Sequence, residues 1–138
     1  MDDTFRLEII TPERVFLSAA VESVALESTD GRCEVLKDHV PCVIAVASGL
    51  LQVKRDGQWR DAACSDGFME VRRDGATLML ETAEWAEDID LVRAQRAADR
   101  ERERLRRQQS MREYRQSKAN MARAMARLRV GHQHLDMD

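Results

Sequence analysis

The sequence predicts an α+β protein: an N-terminal antiparallel β-sandwich over residues 1–84, followed by a C-terminal αα-hairpin over residues 85–138. Three observations predict it. Short runs of alternating apolar and polar residues fill the chain from Thr4 to Thr82, with turn residues about every eight to twelve positions. Two Asp-Gly pairs, Asp56-Gly57 and Asp74-Gly75, sit between such runs. From Asp88 to Arg129 there is neither Gly nor Pro, so a long stretch is free to be helical.

Taken in order, Phe5, Leu7 and Ile9 alternate with Thr4, Arg6 and Glu8, the period of a half-buried strand. Pro12 breaks it. Val15-Phe16-Leu17 and Val21 to Leu26 follow as strands, and Asp30-Gly31 is a turn. Cys33 to Leu36 and Val43 to Ala47 are two more strands, separated by Lys37-Asp38-His39-Val40-Pro41. Leu51 to Lys54 and Trp59 to Cys64 flank Asp56-Gly57, a pair suited to the positive φ angles of a type I′ turn. Val71-Arg72-Arg73 and Thr77 to Leu80 flank Asp74-Gly75 in the same way. Asp88 is the expected N-cap of the first helix, with Asp90 in its first turn. Ala94, Ala97, Ala98 and Leu105 make its thin apolar stripe. A bend is expected at Arg107-Gln108-Gln109-Ser110. A second helix runs from about Met111 to Val130, with Tyr114, Met121, Met125 and Leu128 as its stripe. Gly131 is its expected stop. His132 and His134 then fall in a polar tail expected to lack structure.

Composition narrows the functional classes. Net charge is −3 over 138 residues, which argues for neither nucleic acid nor a membrane surface. The halves differ: residues 1–84 carry 9 Lys+Arg against 16 Asp+Glu, and residues 85–138 carry 13 against 9. Such asymmetry suggests that the halves meet different surfaces. Cys33, Cys42 and Cys64 show no C-x-x-C spacing, so neither a disulfide framework nor a zinc site is signalled, and a reducing compartment fits. Met1-Asp2-Asp3 is acidic, unlike a secretory leader. No apolar run is long enough to span a bilayer, so attachment to a membrane is expected only through a partner. Nucleophile elbows, H-x-x-x-H helices and Gly-rich phosphate loops are all missing from the sequence.

The most informative stretch is Ile89-Asp90-Leu91-Val92-Arg93-Ala94. On a helix, Asp90 and Arg93 share a face, placing an acceptor carboxylate beside a bidentate cationic fork. Alone, that is an ordinary surface ion pair. A second basic pair, Arg123 and Arg127, lies i,i+4 on the last helix and gives it company. The hairpin seam between them is mostly Ala and Met, which bury little apolar area, whereas helix propensity is high throughout. Strong helices with a weak seam can stay helical while they separate, the physical basis of a conformational switch.

These residues and their order resemble the ε-subunit family of bacterial F-type ATP synthases. Thr11-Pro12-Glu13-Arg14-Val15-Phe16 is similar to the family's first turn. Gly31, Val35, Leu36, His39 and Pro41 match its G-x-x-G-V-L-P-G-H-A-P loop, whereas Glu34, Lys37, Asp38 and Val40 depart from it. Asp66-Gly67-Phe68-Met69-Glu70-Val71 resembles G-G-F-x-E-V, with Asp66 replacing a Gly. Arg123-Ala124-Met125-Ala126-Arg127-Leu128 resembles R-A-x-x-R-L. The resemblance implies a non-catalytic rotor subunit of the central stalk, peripheral on the cytoplasmic face of the bacterial inner membrane. Its implied partners are γ, the c ring and the α and β subunits, with no nucleic acid and no direct membrane insertion. Asp30, Gly31, Arg32, His39, Val40 and Pro41 are the implied interface with γ and the c ring. The hairpin is implied to inhibit ATP hydrolysis when extended. No cofactor is required, but some family members bind a regulatory ATP, and Glu84, Ile89, Asp90, Arg93, Ala94, Arg123 and Arg127 match that pattern. Two rival readings are a stand-alone nucleotide-sensing protein and a basic helical module for nucleic acid.

Overall fold

The computed structural model describes residues 3–107 and 111–136 of the chain. Ten strands come first: β1 (Phe5–Ile10), β2 (Val15–Val21), β3 (Ser23–Ser28), β4 (Gly31–Leu36), β5 (Cys42–Val46), β6 (Gly49–Arg55), β7 (Gln58–Cys64), β8 (Gly67–Arg72), β9 (Gly75–Leu80) and β10 (Ala83–Trp85). They follow one hydrogen-bonded path, β10-β7-β6-β3-β5-β8-β9-β1-β2, with β4 pairing β3 off that path. β3 meets β5 only at Ser28 and Val46, and there the sheet passes from one layer of the sandwich to the other. Leu7, Ile9, Leu26, Leu51, Met69 and Leu78 are fully buried between the layers. Burial of each stabilises the sandwich by about 1.5–3 kcal/mol. Cys33, Cys42 and Cys64 are free thiols. Burial pushes the Cys64 thiol up to about 11, which leaves it inert as a nucleophile.

The strands depart from the sequence expectation in three places. Val21 closes β2 opposite Phe5 instead of opening the next strand. β1 and β9 pair in parallel, with Leu7 beside Ala76 and Ile9 beside Leu78. A tight turn forces antiparallel neighbours, but most of the sandwich separates these two strands, so no turn sets their direction. The two Asp-Gly turns also differ. Asp56 (φ 52°) and Gly57 (φ 76°) have the expected type I′ signs. At the other, only Gly75 is positive (φ 154°), and a Cβ there would lie 2.5 Å from the Arg6 carbonyl oxygen. Gly75 therefore serves the close approach of β1. Asp38 takes φ 66° where the family pattern carries Gly; Asp tolerates the left-handed region better than most residues.

Sequence reading missed β10. It pairs with β7 and brings Trp85 onto Phe16 of β2, ring centroids 4.5 Å apart. That stack joins the two end strands of the sheet path. Ala86–Asp88 then form a 3₁₀ turn, and α1 (Leu91–Arg107) and α2 (Met111–Asp136) follow. Ile89 is extended (φ −74°, ψ 123°), so Asp90, not Asp88, caps α1. Its carboxylate accepts the Arg93 N–H at 3.1 Å and its carbonyl accepts the Ala94 N–H at 2.9 Å.

Gly131 does not stop α2, which continues to Asp136 and takes His132 and His134 with it. Gly131 is buried where α2 crosses the start of α1. A Cβ at this position would lie 2.5 Å from Leu91 Cδ2 and 3.2 Å from Ile89 Cγ2. Space, not chain termination, is what the glycine provides. Gly131→Leu is therefore expected to cost about 1–3 kcal/mol by overpacking, despite the better helix propensity of Leu. Hydrogen exchange should show faster opening of residues 126–136 while β1–β9 keep their protection. Unchanged exchange there would remove the significance of the close crossing.

Ala94, Ala98, Ala124 and Leu128 form the buried seam of the hairpin, flanked by Leu91, Ala97 and Met121. Met125, expected in the stripe, is exposed, and Ala126 is buried in its stead. The reason is that α2 packs on two neighbours: its Ala124 side meets α1 and its Val130 side meets Ala63 and Ala86 of the sandwich and joint. Glu101 is buried on the α1 side, between the Ala98 and Leu105 positions of the stripe. The expected bend at Gln108-Gln109-Ser110 and the Tyr114 side chain lie outside the described residues. Exposed ion pairs such as Arg102–Asp99 (3.8 Å) and Arg106–Glu103 (3.9 Å) line the other face of α1, a solvated surface worth little in stability.

Candidate functional site

The hairpin folds against β6, β7 and the 3₁₀ turn, and the joint leaves an open cleft of about 720 Å³. Glu84, Asp90, Arg93, Arg123 and Arg127 all line it. Five of the seven residues singled out for nucleotide binding are thus brought together from β10, the start of α1 and α2. The other two stand behind them. Ile89 packs with Val130, Ala63 and Ala86, and Ala94 is fully buried in the seam. The motif reads as a local device. Ile89 plugs the joint, Asp90 caps the helix, Arg93 lines the cleft and Ala94 permits close helix packing.

Glu84 and Arg127 link the sandwich to the hairpin. The Arg127 Nη2 donates to Glu84 Oε1 at 3.3 Å, and Nε lies 3.0 Å from Oε2 as an ion pair without hydrogen-bond alignment. Arg123 is held less well. Its Nη1 reaches Asn120 Oδ1 at 3.5 Å, and its buried Nε has no hydrogen-bond partner among the described residues. The Arg93 guanidinium lacks any partner among the described residues. Two guanidiniums without a carboxylate partner among the described residues leave donors that can receive an anionic group of a ligand. Thr11, Glu13, Arg14, Glu81, Asp88 and Asn120 also line it. Sequence reading did not place them at this site; Thr11, Glu13 and Arg14 in particular belong to the β1–β2 turn, far from the hairpin in the chain.

Next to the cleft, Arg60 of β7 binds Glu87 of the 3₁₀ turn and stacks over Trp85, 3.7 Å from the ring centre. Burial pushes the Glu87 carboxyl up. Its own backbone N–H and the Arg60 guanidinium outweigh burial, with His134 adding to them, and hold Glu87 below the usual carboxylate range. A carboxyl depressed in the folded state contributes stability above its unfolded pKa and loses it as pH falls through the folded value. The joint is therefore expected to loosen on acidification below the ordinary carboxylate range. Glu87→Gln should flatten that pH dependence, read as hydrogen exchange at residues 83–90.

The six proposed interface residues do not form one patch. Asp30-Gly31 lies at one end of β4 and His39-Val40-Pro41 beyond the other, about 20 Å apart along a six-residue strand. Arg32 is held on the sandwich by the Leu50 carbonyl (2.6 Å), Gln52 Oε1 (2.6 Å) and Glu27 Oε1 (3.3 Å). An apolar row that the sequence reading missed crosses the other layer. Val15, Ile10, Met79 and Phe68 are register neighbours on β2, β1, β9 and β8. Val15 (60%), Met79 (46%) and Phe68 (57%) are strongly exposed.

A β-sandwich with a helical hairpin folded on its side, and a cleft in the joint lined by arginines and carboxylates together, defines a class of two-part assembly module. Residues 4–86 match the family described as ATP synthase, Delta/Epsilon chain, beta-sandwich domain, and residues 87–131 match ATP synthase, Delta/Epsilon chain, long alpha-helix domain. The ATP synthase epsilon chain of Caldanaerobacter subterraneus subsp. tengcongensis is 46% identical, covering 99% of this chain and 100% of the relative. That of Ruminiclostridium cellulolyticum is 43% identical, covering 91% and 93%. A chain of the Euglena gracilis mitochondrial ATP synthase has the same fold, with TM-score 0.77 and 17% identity over 99% of this chain and 82% of that one. The chain belongs to the delta/epsilon chain family of ATP synthases and is a non-catalytic subunit. No helix among the described residues is long and apolar enough to cross a membrane.

Proposed function

We propose that this chain is a rotor subunit of the central stalk, coupling γ to the c ring of an F-type ATP synthase. In this reading its hairpin is an ATP-controlled inhibitor of hydrolysis, and the complex lies on the cytoplasmic face of the bacterial plasma membrane. The observation that carries the regulatory half is the cleft where β10, the start of α1 and α2 meet. It gathers Arg93, Arg123 and Arg127 across a thin Ala seam. A nucleotide held from both sides keeps the hairpin docked, and its loss frees strong helices with basic excess to reach an acidic partner in the α/β head. The row Val15-Ile10-Met79-Phe68 and the exposed Val40 suit γ, and the polar Asp30-Gly31 turn suits the c ring.

Reconstitution of α, β and γ with the full chain, or with a chain ended after Asp88, tests this. Ending there, not at Glu84, keeps the Phe16–Trp85 stack. Both forms are expected to bind γ. The full chain should inhibit hydrolysis at low ATP and release it at millimolar ATP, and the truncated form should not inhibit. Equal rates for the two at low ATP sink the regulatory half. Failure of the full chain to bind γ sinks the rotor half, and ATP binding without γ binding points to a free nucleotide sensor.

A further inference from the structure

The cleft has a third wall. The turn between β1 and β2 contributes Thr11, Glu13 and Arg14 to the lining that holds Arg93 of α1 and Arg123 of α2. That turn is tied on itself. The Thr11 N–H donates to the Arg14 carbonyl at 2.9 Å, and the Arg14 N–H donates to the Thr11 carbonyl and to its hydroxyl, both at 3.3 Å. The Thr11 hydroxyl donates to the Arg14 carbonyl at 3.2 Å, and Thr11 is buried. The backbone under Arg14 is therefore fixed before any ligand arrives.

The side chain is guided as well. The Arg14 guanidinium lies 5.5 Å from the centre of the Phe16 ring. Phe16 stacks on Trp85, the residue after Glu84, and Arg60 stacks over Trp85. One column thus runs from Arg14 to the strand that delivers Glu84 to the cleft. No carboxylate pairs with Arg14 among the described residues. Five carboxylates also line the cleft: Glu84 pairs with Arg127, Asp90 caps α1, and Glu13, Glu81 and Asp88 make no ion pair with Arg14, Arg93 or Arg123 among the described residues. Arg14, Arg93 and Arg123 come from three different elements, and none of them has a carboxylate partner among the described residues.

We propose that Arg14 is a further phosphate-binding residue of this cleft, so that a bound nucleotide ties the hairpin to the β1–β2 turn of the sandwich. The inference rests on the nucleotide reading of the cleft. It adds that binding restrains three elements and that the sandwich supplies a phosphate ligand of its own. An arginine is suited to the task, because its planar fork gives two parallel hydrogen bonds to phosphate oxygens.

Calorimetric titration of the full chain with ATP and with AMP tests it, using wild type, Arg14→Ala, Arg14→Lys and Arg93→Ala. Arg14→Ala is expected to weaken ATP binding about tenfold, the low end for a charged hydrogen bond at an exposed site. The loss should be smaller for AMP, and Arg14→Lys should recover part of it. Hydrogen exchange at residues 11–14 should slow on adding ATP. If Arg93→Ala weakens ATP and Arg14→Ala does not, the proposal is overturned and the site stands. Equal losses for ATP and AMP in Arg14→Ala also overturn it, because they indicate a structural role. A wild-type chain that takes up no ATP overturns both.

Discussion

Arg123→Ala is expected to weaken ATP binding by about 10- to 100-fold while leaving the ligand-free hairpin docked. The two halves of this expectation have separate causes. A charged hydrogen bond to a phosphate is worth about 1.5–3 kcal/mol, and Arg123 is half-buried, which raises its value over an exposed arginine. Without ligand the same guanidinium has a buried Nε and, among the described residues, no carboxylate partner. Its removal therefore deletes an uncompensated polar group and costs the docked state little. Nucleotide at a hundredfold excess over Kd adds about 2.7 kcal/mol to docking. An alanine seam, with about 0.8 kcal/mol per buried methylene-sized group, leaves the outcome within reach of that increment. The variant should thus lose ATP-induced protection of α1 and α2 from hydrogen exchange, and in the assembled enzyme it should be inhibited at ATP levels that release the wild type. Unaltered affinity in a folded Arg123→Ala chain would remove Arg123 from the site.

Trp85→Ala is expected to lower the stability of the sandwich by about 2–3 kcal/mol, the reduced range for a half-buried aromatic. The ring stacks on Phe16 and carries Arg60 on it. Aromatic pairing adds about 0.5–1.5 kcal/mol beyond area burial. Without the ring, β10 pairs with β7 through only three residues, the β2 and β10 ends of the sheet path lose their stack, and Glu84 loses its fixed position in the cleft. The loss should be seen in urea unfolding as a lower midpoint at unchanged slope. Trp85→Phe should retain most of the stability, and a Phe16/Trp85 double-mutant cycle should show coupling. A loss well under 1 kcal/mol would mean that the stack is incidental.

Much of the architecture was legible because its signals are local. Leu7 and Ile9 alternate with polar residues and both face the core. The Asp56-Gly57 turn is type I′ because those residue types accept positive φ. The alanines of α1 recur at helical spacing and form the seam. The candidate site was legible for a different reason: Asp90 caps α1, Arg93 lies in its first turn and Arg123 and Arg127 are i,i+4 on α2, and resemblance to a known family supplied the link between them.

The remainder depends on approaches between residues far apart in the chain. Nothing near Arg14 in sequence announces that its turn walls the cleft, and nothing near β1 or β9 sets them parallel. Gly131 looks like a helix stop, since glycine ends helices often. Only the packing of α2 across Leu91 and Ile89 shows that space is what the position requires. Asp88 and Asp90 are equally good caps by type, and the extended Ile89 between them decided in favour of Asp90. The sequence by itself determined the two-part layout, the faces of the strands and the weak seam, because periodicity and turn chemistry act over a few residues. Tertiary structure alone decided how the hairpin seats on the sandwich and which side chains share the cleft, because those follow from close packing of surfaces that no local pattern encodes.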